Sequence, residues 1–163
     1  MKQLIFIFAV MFSLANTSVF AVWRYSASGA TPQYAWRAGA DSSGQPFYLC
    51  RAHYQGSLTP GNIRPGFGGC HISYDGDEKN INHYQVFLLT HSSYGYWQWV
   101  KYNLPAHSWR VGDDSNGQPL YVCRARYADG LVIGKTWRGL NACYIPYGGR
   151  EVSVRDYQVF LLR

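Results

Sequence analysis

A block of twelve residues occurs twice in this chain and limits what it can fold into more than any other feature. It reads Asp41-Ser-Ser-Gly-Gln-Pro-Phe-Tyr-Leu-Cys-Arg-Ala52, then Asp114-Ser-Asn-Gly-Gln-Pro-Leu-Tyr-Val-Cys-Arg-Ala125. The offset of 73 residues holds from there to the end of the chain: Cys70 matches Cys143, Tyr74 matches Tyr147, Glu78 matches Glu151, and Tyr84 to Leu89 matches Tyr157 to Leu162. Two copies this similar mean one structural unit used twice. Positions the copies share report what the unit needs. Positions that differ, such as Thr59 to Asn62 against Val132 to Lys135, report solvent or two sites that have diverged.

The first residues read as an export signal. Lys2 is followed by an apolar run from Leu4 to Leu14, broken only by Ser13, and Val19-Phe-Ala21 puts small residues where a signal peptidase reads. The expected organisation is a signal peptide over 1–21, a first repeat over 22–89, a linker over 90–95 and a second repeat over 96–163, the two repeats packed as one domain. The apolar run is too short to span a bilayer and no later stretch approaches the length needed, so no membrane span is expected. The expected location is secreted or periplasmic, after cleavage near Ala21.

About 140 residues then remain, enough for one domain with a core. The net charge of the whole sequence is +6, but its 15 Lys and Arg form no cluster, so no nucleic-acid footprint is indicated. Four cysteines fall two per copy. In an oxidising compartment an even number favours disulfides, and of three pairings we expect Cys50–Cys70 and Cys123–Cys143, because like units should fold alike. A zinc site is the rival, but the chain has no C-x-x-C pair.

Alternation marks strands at Pro46 to Tyr54, Cys70 to Tyr74 and Tyr84 to Leu89, and at their matches in the second copy. Gly56 to Gly69, rich in Gly and Pro, reads as loop. Nothing has a helical period, so the expected class is all-β, a sandwich or barrel.

These motifs in this order resemble the DM-nine (natterin-like) tandem repeat. The matching residues are Ala38-Gly-x-Asp41-x-x-Gly-x-Pro-x-Tyr-x-x-Arg-Ala52, Gly56-x-Leu58-x-Pro-Gly61, Cys70-x-Ile-x-Tyr-x-Gly76 and Tyr84-x-Val86, with their second-copy counterparts. The resemblance covers essentially the whole chain after Ala21. It implies a β-sandwich of two pseudo-twofold-related repeats. It also implies relatives that are mannose-binding bivalve lectins, in which an Asp of the Gly-x-Asp turn and a Lys of the Pro-Gly-Lys turn bond the sugar's hydroxyls. The matching pairs here are Asp114 with Lys135 and Asp41 with Asn62, both 21 residues apart. The first copy departs from the pattern at Asn62, and the second at Ile133, where the family has Pro. One complete and one altered carbohydrate site is the expectation. Nothing matching the pore-forming module of natterins follows the repeats.

The chemistry of the residues agrees. A carboxylate accepts from vicinal hydroxyls and an ammonium donates to them, and such charge-assisted bonds compete best with water. Against this, Asp before Ser-x-Gly is a common turn residue that bonds its own backbone, and Lys135 on a loop would be merely solvated. Glu78 and Glu151 either line the same pockets or pair with Arg51 and Arg124. Trp36 and Trp109 are more readily core than stacking surface. The histidines (His53, His71, His83, His91 and His107) do not recur between copies and sit at no metal-ligand spacing.

No nucleophile elbow, phosphate loop or His-Glu-x-x-His motif is present, and Asp41 and Asp114 sit on pseudo-symmetric turns, a poor arrangement for a glycosidase pair. The reading is therefore a secreted glycan-binding protein, not an enzyme, with no cofactor or metal. A homodimer would add avidity to weak single contacts. The alternative is a secreted protein-interaction or inhibitor module using the same turns without sugar.

Overall fold

The computed structural model describes residues 21–90 and 94–163. The expected signal peptide lies outside them except for Ala21, and so do residues 91–93 of the linker. The described residues form fourteen strands. The first copy supplies β1 (Ala21–Ala27), β2 (Arg37–Ala40), β3 (Pro46–Tyr54), β4 (Ser57–Ile63), β5 (Cys70–Tyr74), β6 (Asp77–Ile81) and β7 (His83–Leu89). The second supplies β8 (Gly95–Trp99), β9 (Arg110–Asp113), β10 (Pro119–Tyr127), β11 (Gly130–Thr136), β12 (Cys143–Tyr147), β13 (Arg150–Val154) and β14 (Tyr157–Leu162).

The fold is all-β and made of two repeats, and its strands form one barrel-like ladder. Pairings of β2 with β3, β3 with β4, β4 with β9, β9 with β10, β10 with β11 and β11 with β2 close a ring of six strands, three from each copy. The seams between copies are short, Leu58 opposite Asp113 and Leu131 opposite Ala40. The glycine of each Gly-x-Asp motif makes these seams: a Cβ on Gly112 would stand 1.8 Å from Leu58 O, and one on Gly39 2.1 Å from Leu131 O. Only a residue without a side chain lets the backbones approach so closely. The remaining strands hang from the ring, and β6 meets β13 at Asp77 opposite Arg150.

The segment expected to be loop contains β4, which corrects that expectation. Tyr54 faces Ser57 across a two-residue turn, with Gln55 and Gly56 both at positive φ, so β3 and β4 form a tight hairpin. Pro60 and the polar Ser57, Thr59 and Asn62 hid it, because every one of these side chains is buried here. Its match, β11, carries Lys135, which is therefore on a buried strand and not on a solvated loop.

The larger core takes side chains from both copies, including Leu49, Phe87, Trp109, Val122, Ile133 and Phe160. Trp36 stacks on Trp97 at 5.7 Å and Trp109 meets Phe87 edge-on at 4.7 Å, so both conserve their role as packing residues and neither is a sugar shelf. Arg51 and Arg124 pair with neither glutamate. Arg51 donates from Nε to Gln85 (2.7 Å) and from Nη1 to Val111 O (2.9 Å), and Arg124 donates likewise to Gln158 (2.8 Å) and Ala38 O (3.0 Å). Each lies over a tryptophan, Trp23 or Trp97, about 4 Å from the ring centre. Each guanidinium thus ties one copy to the backbone of the other.

Disulfides Cys50–Cys70 and Cys123–Cys143 join β3 to β5 and β10 to β12. Two such bridges suit a chain folded in an oxidising, extracellular or secretory compartment. Among the described residues no helix is long and apolar enough to cross a membrane.

Candidate functional site

The two Gly-x-Asp turns are built alike. Asp114 Oδ1 accepts from the backbone N–H of Asn116 and Gln118, both at 2.8 Å, while Asp114 N donates to Gln118 O and Gly117 N to Asp114 O. Asp41 Oδ1 accepts from Ser43 N and Gln45 N at 2.9 Å and from Ser43 Oγ at 2.7 Å. The turn role and the ligand role are therefore not exclusive: Oδ1 shapes the turn and Oδ2 remains.

What becomes of Oδ2 separates the copies. Asp41 Oδ2 forms an ion pair with Arg64, whose guanidinium also lies over Phe67 at 4.7 Å. The bond from Ser43, the two turn N–H groups and the Arg64 charge together hold the Asp41 carboxyl below its ordinary value, against a smaller opposing effect of burial. Asp114 Oδ2 has no hydrogen-bond partner among the described residues. Arg64 is matched by Trp137, which has no charge to offer.

The residues at the second position differ as well. Asn62 is buried and donates to Ile133 O at 3.1 Å, a structural tie between the copies. Lys135 is 7% exposed. Its Nζ donates to Ser73 O, lies 3.2 Å from Glu151 Oε2 and sits 5.5 Å from the Tyr74 ring centre. Burial lowers the Lys135 pKa, opposed by the charges of Glu151 and Asp114. The Asp114 charge acts on Lys135 without an ion pair between them among the described residues, and the ion pair of Lys135 is with Glu151.

Glu78 takes a different partner, His71, at 2.6 Å, and accepts from Gly149 N at 2.7 Å. Glu151 correspondingly accepts from Gly76 N at 3.4 Å. The β5–β6 and β12–β13 turns therefore clasp each other through these glutamates. Burial pushes the Glu78 carboxyl up, but the bonds from His71 and Gly149 and the imidazole charge outweigh it and leave Glu78 below the usual range.

Sequence reasoning missed the aromatic partners. Tyr54 meets Tyr74 edge-on at 5.0 Å, and Tyr127 meets Tyr147 at 5.1 Å. Tyr74, from the first copy, lies beside Lys135 of the second, and the Gln55–Gly56 turn lies against Ser115. The second-copy amine thus has a tyrosine of the first copy beside it, and the turn that carries the second-copy acid is approached by the first-copy hairpin turn. All four tyrosines obey the 73-residue offset, so the signal was present in the repeat.

The DM9 repeat model matches residues 7–81 and 65–154. No curated protein matches the chain. Among solved structures, the crystal structure of the nematode sperm cell motility protein MFP2B is similar, with a TM-score of 0.64 at 16% identity, over 90% of this chain and 48% of that one. The chain spans about half the length of that protein, and the likeness is one of fold alone.

Proposed function

Because the chain belongs to the DM9 repeat family, we propose that it is a secreted carbohydrate-binding protein, lectin-like and not an enzyme, whose working site is Asp114, Lys135 and Glu151 with Tyr74 beside the lysine. One observation carries the reading. Asp114 holds its turn with one carboxylate oxygen and leaves the other without a partner among the described residues, and its charge reaches the ammonium of Lys135 without forming an ion pair with it. A sugar's vicinal hydroxyls would donate to Asp114 Oδ2 and accept from Lys135 Nζ, and a ring face would rest on a tyrosine. Mannose-type glycans are the expected class.

The first-copy pair, Asp41 with Asn62, binds more weakly on this reading. Arg64 occupies the oxygen a hydroxyl needs, and Asn62 is committed to Ile133 O. A single site of this kind gives weak affinity, so useful binding calls for avidity, which a homodimer would supply.

The test is a glycan array on the exported protein, followed by calorimetry with methyl α-mannoside. Asp114→Asn should weaken binding by roughly tenfold to a hundredfold, the range for one charge-assisted hydrogen bond, and Asp41→Asn should change it little. A folded protein silent on every glycan would remove the proposal and favour the protein-interaction module. Equal loss in both variants would remove the asymmetry between copies.

A further inference from the structure

The inner face of β1, β7 and β3 begins in the shared aromatic core and ends at the rim in one cross-strand row. Tyr25 is opposite Gln85, and Gln85 is opposite Arg51. Residues directly opposite present their side chains to the same face. Arg51 closes the core here, bound to Gln85 and Val111 O and stacked on Trp23. Its Nη2 has no hydrogen-bond partner among the described residues and is not sealed from solvent.

Outside Arg51 lies a concave pocket of about 350 Å³, with His53, His83 and Leu58 on its walls. None of its ten lining residues is an acid. That volume suits a small ligand. The second copy provides a control. Its row is Trp99, Gln158 and Arg124, in the same register. There, at the 73-residue offset, Asp156 stands in place of His83 and Arg126 in place of His53. The second-copy row has an acid beside its cations; the first-copy row has none.

We propose that this pocket is a second ligand site, separate from Asp114 and Lys135, for a small carboxylate carried on an apolar ring. The carboxylate accepts from Arg51 Nη2, in the planar geometry that guanidinium favours. His53 and His83 flank it as donors, and the ring lies against Leu58 and the exposed face of Tyr25. Burial lowers the Arg51 pKa, with a smaller opposing contribution from Tyr25, so an anion in this pocket supports a charge that burial disfavours. The site does not depend on sugar recognition elsewhere.

The experiment is a titration of the exported protein with benzoate, followed by the histidine ring signals in NMR and by calorimetry. Benzyl alcohol, the neutral analogue, should bind at least roughly tenfold more weakly, and so should methyl glucuronide, which carries the carboxylate on a polar ring. His83→Asp installs the residue the second copy carries at that position, so the fold should survive. It should weaken benzoate roughly tenfold through like-charge repulsion, while Asp114→Asn leaves benzoate binding unchanged. The proposal is overturned by any of four results: no saturable benzoate binding, benzyl alcohol as tight as benzoate, glucuronide tighter than benzoate, or an unaffected His83→Asp variant.

Discussion

At the scale of single residues, the two copies use the same acids for different ends. Glu151 and Lys135 are a nearly buried pair, so removing one partner strands the other. Lys135→Met should cost about 3–5 kcal/mol in urea unfolding, and Lys135→Met with Glu151→Leu should recover most of it, since neither charge is then left alone. Glu78 supplies a pH test. Its folded pKa lies below the ordinary 4.5. A carboxylate of that kind adds stability that is complete above the unfolded value and is lost as pH falls through the folded value. The protein should therefore lose stability on acidification below about pH 4.5. Glu78→Gln should be less stable at neutral pH and show a shallower acid limb; an unchanged limb would assign the effect to other carboxylates.

At the scale of elements, the hairpin of β3 and β4 shows where sequence patterns fail. The expected loop contained Pro60, Gly61 and polar side chains, all signs of irregular structure. Its strand is instead held by neighbours on both edges, β3 and β9, and its polar groups are buried against partners: Ser57 donates to Asp113 O at 2.8 Å and Asn62 to Ile133 O. Those partners lie in the other copy, beyond the reach of local periodicity. The seams give a prediction at this scale. Gly112→Ala would push a Cβ into the Leu58 carbonyl and should cost about 3 kcal/mol. Gly44→Ala, at φ 83° in open space, should cost only about 1–2 kcal/mol, the penalty of the left-handed backbone. Similar losses in the two variants would mean the seam can relax.

At the scale of the whole molecule, the ring of six strands takes three from each copy, and each copy's arginine is anchored on the other's backbone. Residues 21–90 expressed alone should therefore remain unfolded, with no dispersed NMR spectrum, and should fold when mixed with residues 94–163. A first half that folds by itself would contradict the interlocking described above.

The sequence by itself determined the duplication, the all-β class, the cysteine pairing that like units imply, and the Asp turns, because these depend on residues close in the chain or repeated at one offset. It also named the candidate acids and the lysine. Only the tertiary structure decided which of them are available. Arg64 reaches Asp41, Ser73 and Glu151 hold Lys135, and Tyr74 of one copy stands beside the Lys135 charge of the other. Those arrangements arise where the two copies cross, and the pattern along one strand carries no information about what the opposite copy brings to it.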